Sequence, residues 1–198
     1  MNDRKQSRRA TFEALHAKDA DPWAFETSQY ERAKRAKVLA NIEGRRFAKA
    51  LEVGCSNGVL TRDLAPYCDR LQAIDVANSA LALAEQRLRG IGNVELLRCE
   101  IPIEWPEGSF DLIVLSEILY FLSADEIAAT AGHVWRSLAP AGLCVLVNWT
   151  GPNDLAVDGQ EAVEIFRHAR PWKVGLRSCQ PKYRIDHLEP SERGRLKD

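Results

Sequence analysis

The sequence predicts an α/β fold, a doubly wound, mostly parallel sheet of seven strands with helices on both faces and an antiparallel last strand. Three observations predict it. Between residues 50 and 147, short apolar runs alternate with helical stretches, the pattern of repeated strand–helix crossovers. Gly54 and Gly58 bracket a turn where the first of those strands passes into the first helix. The run Phe110-Asp111-Leu112-Ile113-Val114-Leu115 is almost continuously apolar, as a strand covered on both faces must be. The 198 residues suit one domain of ordinary size. It divides into an N-terminal helical segment (1–45), the alternating region (46–190) and a charged tail (191–198).

Two helical stretches come first. Residues 11–17 carry Phe12 and Leu15, and Asp21-Pro22 breaks the pattern. Residues 30–42 place Ala33, Ala36, Lys37 and Ala40 at helical spacing, with Ser28 as the cap. The link between them holds Trp23 and Phe25, two large aromatics that must be buried against something. Residues 50–53 read as the first strand and 59–65 as the helix after the glycine turn. Residues 71–74 form the second strand, ending at Asp75, and 79–88 the next helix, stopped by Gly90. Strands three, four and five are 94–97, 110–115 and 143–147, with a helix at 125–138 that lines up Ile127, Ala131, Val134 and Leu138. Residues 150–158 are loop and 161–169 a helix. Residues 172–179 and 183–188 are two more strands, too close in sequence for a parallel crossover, so they pair antiparallel. From Glu189 the charged chain is expected to fray.

Composition excludes several classes. Lys and Arg total 27 against 28 Asp and Glu, a net charge of −1 that gives no overall footprint for nucleic acid. The first fifty residues, with 12 basic and 7 acidic side chains, read as a solvated helix surface. Cys55, Cys68, Cys99, Cys144 and Cys179 form no CxxC pair, so neither a metal site nor a disulfide framework is expected. No apolar run approaches the roughly 18 residues of a membrane span, and residues 1–9 lack the apolar stretch of a secretory signal. The expectation is a reduced, cytoplasmic protein, monomer or homodimer, with no membrane or nucleic-acid partner.

The most informative stretch is Leu51-Glu52-Val53-Gly54-Cys55-Ser56-Asn57-Gly58-Val59-Leu60. A ligand at such a strand-to-helix turn meets backbone N–H groups and a helix N-terminus at the carboxyl edge of the sheet. Glycine at 54 and 58 permits a tight turn and a close approach. Asp75 ends the next strand, 17 residues after Gly58, where a carboxylate can accept the hydroxyl protons of a ribose. A dinucleotide site would need G-x-G-x-x-G, and the third glycine is lacking. Glu52, two places before Gly54, would repel a pyrophosphate and attract a cation. That charge argument favours a sulfonium cofactor bearing an amino acid over NAD. The rival reading is a sharp turn in some other doubly wound domain.

Glu52-Val53-Gly54-Cys55-Ser56-Asn57-Gly58 resembles the first motif of class I S-adenosylmethionine (SAM)-dependent methyltransferases, whose fold is Rossmann-like. Asp75 matches the acidic residue of their second motif, Phe110-Asp111-Leu112-Ile113 the fourth-strand motif, and Leu138-Ala139-Pro140-Ala141-Gly142 the turn into strand five. Within that superfamily the chain is similar to the nodulation protein S (NodS)-like group. The similar stretches are Asp21-Pro22-Trp23, Phe25 to Glu31, Glu104-Trp105-Pro106, Leu115 to Tyr120, Trp149-Thr150-Gly151-Pro152 and Tyr183-Arg184-Ile185-Asp186. Departures are Ser56 where many members have glycine, and Ala141 in the common Pro-Gly-Gly turn.

The resemblance implies a SAM-dependent methyltransferase with S-adenosylhomocysteine (SAH) as the spent form. It makes 1–45 a helical lid segment and 46–190 the methyltransferase domain. The implied cofactor residues are Glu52, Gly54, Cys55, Ser56, Gly58, Asp75, Val76, Glu100, Ile101 and Ser116, with Trp23 and Tyr30 from the lid. Glu100 reads equally as an adenine contact or as a solvent-exposed side chain. The implied acceptor is a small molecule, an amino sugar or deacetylated chitooligosaccharide. Displacement at the methyl carbon needs positioning and exclusion of water, and an amine acceptor needs a base. Glu117 and Tyr120 are the candidate catalytic residues, and Asn148 and Trp149 the candidate substrate contacts, all beyond strands four and five. Glu117 reads alternatively as a helix cap or surface ion-pair partner, Tyr120 as a packing residue with a wet hydroxyl, and Trp149 as core. His133 and His168 have no role, and His16, near the lid, has no visible partner. A methyltransferase of another metabolite, a nicotinamide oxidoreductase and a non-catalytic cofactor-binding module are the competing functions.

Overall fold

The structure, a computed structural model, describes residues 3–191. The described residues form two compact units, one within Met1–Glu100 and one within Ile101–Asp198. In the first, β1 (Phe47–Val53), β2 (Cys68–Asp75) and β3 (Val94–Arg98) lie in the order β3-β2-β1, all parallel. The ladders pair Val53 with Ile74 and Asp75 with Arg98. The strands therefore end level, and the chain leaves them along one edge. Leu51, Leu71, Ala73 and Ile74 are sealed from solvent.

Four helices belong to this unit: α1 (Asp3–Lys18), α2 (Gln29–Ala40), α3 (Val59–Leu64) and α4 (Asn78–Arg87). Ser28 caps α2 as expected, its side chain accepting from the Glu31 N–H. The helix expected over 11–17 runs back to Asp3. The apolar period marks only part of α1, so it understates the length. Ala80 and Ala84 bring α4 close to its neighbours because they carry so little side chain.

In the second unit β4 (Phe110–Ser116), β5 (Leu138–Trp149), β6 (Trp172–Cys179) and β7 (Tyr183–Pro190) lie in the order β4-β5-β7-β6. β4 and β5 are parallel, and β7 is antiparallel to both of its neighbours. Helix α5 (Ala124–Ser137) opens with a capping box, in which Ser123 and Glu126 each satisfy the other's backbone N–H. Helix α6 (Gly159–His168) is capped by Asp158, and the two helices pack on each other.

Several boundaries differ from expectation: β1 and β2 each begin three residues early, α2 ends two residues early, and two further differences have a visible reason. Strand five was expected from residue 143, after a turn at Pro140-Ala141-Gly142, yet β5 starts at Leu138. Phe110 pairs with Leu138 and Leu112 with Leu143, so a bulge takes up the residues that read as a turn. The fray expected from Glu189 is not found at Glu189 or Pro190. Trp172 pairs with Pro190 and Lys173 with Glu189, and the Lys173 ammonium sits 3.2 Å from the Glu189 carboxylate. Of the expected tail, 192–198 lie outside the described residues.

Candidate functional site

The glycine turn is built as a left-handed kink. Gly54, Ser56 and Gly58 have φ of +80°, +49° and +77°. Such values suit glycine and strain Ser56. Gly54 and Cys55 both donate to the Ile74 carbonyl, 2.8 and 3.0 Å, tying the loop to the end of β2. A Cβ on Gly58 would lie 3.0 Å from both Cα and Cβ of Ala84. The second glycine thus serves close packing of α4 against the start of α3.

Asp75 completes the loop. Its Oδ2 accepts from the Ser56 N–H at 2.9 Å and its Oδ1 from the Ala77 N–H at 3.0 Å. The expected ribose carboxylate therefore also holds the glycine loop, and each oxygen keeps a second lone pair for a hydroxyl. Val76 follows it, partly exposed, and Glu100 lies two residues beyond β3.

Helix α1 and the link after it are fastened to this loop by side chains that the sequence reading passed over. Glu13 accepts from the N–H groups of Asn78 and Ser79 at 2.8 and 3.0 Å, capping α4, whose own N-cap Ala77 has no side-chain acceptor. His16, only 5% exposed, places Nε2 3.3 Å from the Ser56 hydroxyl. Asn57, in the loop, donates to the Ala20 carbonyl at 2.9 Å and to Asp21 Oδ1 at 3.2 Å. Asp21 in turn accepts from the Phe25 and Glu26 N–H groups. Arg87 donates to the Asn57 carbonyl and pairs with Glu26. Spacing shows only that Glu13 and His16 share a helix face with Phe12; it does not show what they meet.

Trp23 stacks among Phe12, His16 and Phe25, with ring centroids 6.3, 5.4 and 5.5 Å away. It stays 37% exposed. Tyr30, on α2, lies under the Lys34 ammonium at 5.3 Å, and Lys34 pairs with Glu31 at 2.9 Å.

Burial dominates the electrostatics. Glu52 is 1% exposed, its Oε2 has no hydrogen-bond partner among the described residues, and its carboxyl is pushed up to about 8 by desolvation, against the Thr61 hydroxyl and with the charges of Asp75 and Asp63. A carboxyl group raised that far is mostly protonated at neutral pH. Desolvation also raises Asp75, opposed by its backbone hydrogen bonds and His16. His16 is held below the usual imidazole range by burial, against Asp75, Asp21, Glu13 and Asp19. The Cys55 thiol is raised by burial and by the same two carboxylates, so it is no nucleophile.

In the second unit, Ser116 ends β4 and Glu117 follows in a left-handed conformation, φ +61°. Glu117 Oε2 accepts from the Tyr120 hydroxyl at 2.8 Å and from the Trp149 N–H at 2.7 Å. The geometry joins three of the four acceptor-side candidates at the carboxyl ends of β4 and β5. The Trp149 ring folds back on its own loop, with Nε1 3.4 Å from the Pro152 carbonyl and Lys182 above the ring. Asn148 is fully buried, and both of its amide atoms lack partners among the described residues. Ile101 lies in a turn at the start of this unit, partly exposed. Among the described residues no group of three or more His, Cys, Asp or Glu could hold a metal ion. No helix among them is long and apolar enough to cross a membrane.

A family model described as nodulation protein S (NodS) matches residues 9–146. Nodulation protein S of Rhizobium tropici is 36% identical over 124 residues, covering 62% of this chain and 52% of that protein. The chain spans about half the length of the curated relatives it matches. The crystal structure of N-methyltransferase NodS from Bradyrhizobium japonicum WM9 in complex with SAH has a TM-score of 0.82 and 25% identity, covering 93% of this chain and 98% of that one. A putative methyltransferase from Pseudomonas syringae has a TM-score of 0.72 and 30% identity, covering 81% and 99%. The fold class is the Rossmann-like, mostly parallel α/β arrangement with antiparallel final strands read from the sequence.

Proposed function

The chain belongs to the NodS family, and from that premise we propose that it is a SAM-dependent methyltransferase acting on a small molecule. The finer reading is N-methylation of an amino sugar such as a deacetylated chitooligosaccharide. One observation carries the donor assignment: a left-handed glycine loop at the carboxyl end of β1, flanked by the carboxyl groups of Glu52 and Asp75. Glu52 Oε2, Asn57 Oδ1 and His16 Nδ1 are buried without partners among the described residues, so the loop has polar capacity for a ligand. SAM fits that set, because its ammonium and sulfonium are cations and its ribose a diol. NAD fits less well, because its pyrophosphate brings no cation to offset ionisation of Glu52, and the loop lacks the G-x-G-x-x-G pattern.

When bound, SAM supplies a methyl group on a positively charged sulfur. Glu52 binds the donor's cationic amino-acid end, and ionises as it does so. Asp75 takes ribose hydroxyl protons while keeping Ser56 in place. On the acceptor side Glu117 orients the amine. Its Oε2 holds the Tyr120 hydroxyl and the Trp149 N–H, and the carboxylate takes the amine's proton. Tyr120 acts through Glu117 as a positioning residue. Asn148 offers one donor and one acceptor to a sugar amide or hydroxyl, and Trp149 its apolar face. The relatives called nodulation protein S and the solved N-methyltransferase NodS support the amine as acceptor.

Calorimetry with SAH tests the donor reading, and no heat at millimolar ligand refutes it. A radiolabelled methyl assay over amino-sugar acceptors tests the finer one, which fails if only unrelated acceptors are methylated.

A further inference from the structure

Resting on the reading of the glycine loop as a donor site, we propose that His16 is a ligand-contacting residue there, whose Nδ1 donates a hydrogen bond to a ribose hydroxyl of the bound adenosyl ligand. The first observation is an unmet one. His16 is nearly sealed from solvent, yet Nδ1 has no hydrogen-bond partner among the described residues. Buried donors are almost always paired, and a leftover one at a ligand loop marks where a ligand atom belongs.

The second observation is what the ring's other nitrogen holds. Nε2 lies 3.3 Å from the Ser56 hydroxyl, and the Ser56 N–H donates to Asp75 Oδ2 at 2.9 Å. Imidazole, loop residue and ribose carboxylate are thus strung in one chain. When the Ser56 hydroxyl donates to Nε2, the ring proton stays on Nδ1. If the ring is doubly protonated, Nδ1 donates all the same. The acids that sense the ring, Asp75, Asp21, Glu13 and Asp19, all favour that charge, and burial opposes it. In those two states Nδ1 needs an acceptor; the tautomer with its proton on Nε2, donating to Ser56, would make Nδ1 an acceptor instead, and the proposal takes the Nδ1–H form. A ribose hydroxyl is both donor and acceptor, whereas the ionised Asp75 only accepts. Asp75 can take the hydroxyl proton and leave the oxygen's lone pairs to be met by a donor, which is what His16 supplies.

The third observation is rigidity. The ring stands edge-on to Trp23, with centroids 5.4 Å apart and planes at 66°. Helix α1 is pinned by Glu13 on the start of α4. The imidazole is therefore presented in a fixed direction, as a contact that discriminates between ligands requires.

The experiment is a cycle between variants and ligands. Calorimetry compares the native chain, His16→Ala and His16→Phe against SAH and its 2′-deoxy and 3′-deoxy analogues. His16→Phe keeps a ring against Trp23 and removes both nitrogens. SAH affinity should fall about 3- to 10-fold in both variants, the worth of one hydrogen bond. For one deoxy analogue, native and variant affinities should agree within about twofold, because the partner hydroxyl is gone. An equal loss for SAH and both analogues would show that the ring merely props the loop and would overturn the proposal, as would unchanged SAH affinity. Failure of the native chain to bind SAH would instead remove the donor-site reading itself, and the proposal with it.

Discussion

Gly58→Ala separates two demands on one residue. At φ +77° an L-residue loses about 1–2 kcal/mol. The new Cβ would also sit 3.0 Å from the Cα and Cβ of Ala84, where carbon atoms prefer about 3.5–4.0 Å. Helix α4 must then retreat, and overpacking of that kind costs about 1–3 kcal/mol. The total, about 2–5 kcal/mol, corresponds to a fall in melting temperature of roughly 5–15 °C for a chain of this size. Gly90 is the control, because it has φ +86° and nothing within 4 Å of its would-be Cβ. Gly90→Ala should show the backbone term alone, about 1–2 kcal/mol. Adding Ala84→Gly to Gly58→Ala should recover part of the loss, since one of the two close carbons disappears. Urea midpoints at constant slope measure all three. Equal destabilisation by Gly58→Ala and Gly90→Ala would refute the helix-contact argument.

Glu52 should give the protein a distinctive pH profile. Its folded pKa of about 8 lies above the unfolded carboxyl value of about 4.3, so the folded form holds the extra proton and stability falls as pH rises from about 4.5 to about 8. Glu52→Gln should remove that slope in urea midpoints, and with it the expected rise of SAH affinity over the upper part of the same window. Glu13→Ala should cost about 1 kcal/mol, as loss of a helix cap does, and hydrogen exchange should quicken at Asn78 and Ser79. Burial raises Glu13, but the backbone hydrogen bonds from Ser79 and Asn78 outweigh it and lower the pKa, so this contribution should vanish as pH falls through the carboxylate range. Asp186→Asn should destabilise by about 3–5 kcal/mol, because it breaks a buried pair in which Asp186 takes two 2.7 Å hydrogen bonds from Arg184. The apolar double replacement Arg184→Met with Asp186→Leu should be far milder in thermal unfolding.

Strand and helix positions were legible because each core face is periodic. All seven expected strands form; β1 and β2 begin three residues early, α2 ends two residues early, and the ends of β5, β7 and α1 moved as well. β5 and β7 moved because ladder partners, not local residues, decide where pairing stops. The loop acids Glu52 and Asp75 were legible because an acid beside a glycine turn has few other uses. His16, Asn57 and Asp21 were not. Each acts across 36 or more residues of chain, Ser56 on His16 and Asn57 on Asp21, and spacing along a sequence carries no record of such contacts. Asp21 read as a helix breaker because Pro22 follows it, although the same carboxylate organises the next turn through the Phe25 and Glu26 N–H groups.

The carboxylates divide by what already occupies their oxygens. Asp75 and Glu13 each take two backbone N–H groups, Glu117 places a hydroxyl and a backbone N–H on one oxygen, and Asp186 takes a bidentate arginine. These bonds fix loops and strand ends to within a hydrogen bond's length, the precision a displacement at carbon demands. Glu52 differs, being sealed, raised in pKa and left with a partnerless oxygen. A fold selected only for stability would replace such a group with glutamine or an apolar residue, because burying it unpaired is costly. Its presence beside a loop whose backbone is strained at Ser56 is what a site for a cation requires. On the proposed reading, the carboxyl group that is costly to ionise in the empty protein is the one that meets the donor's cation.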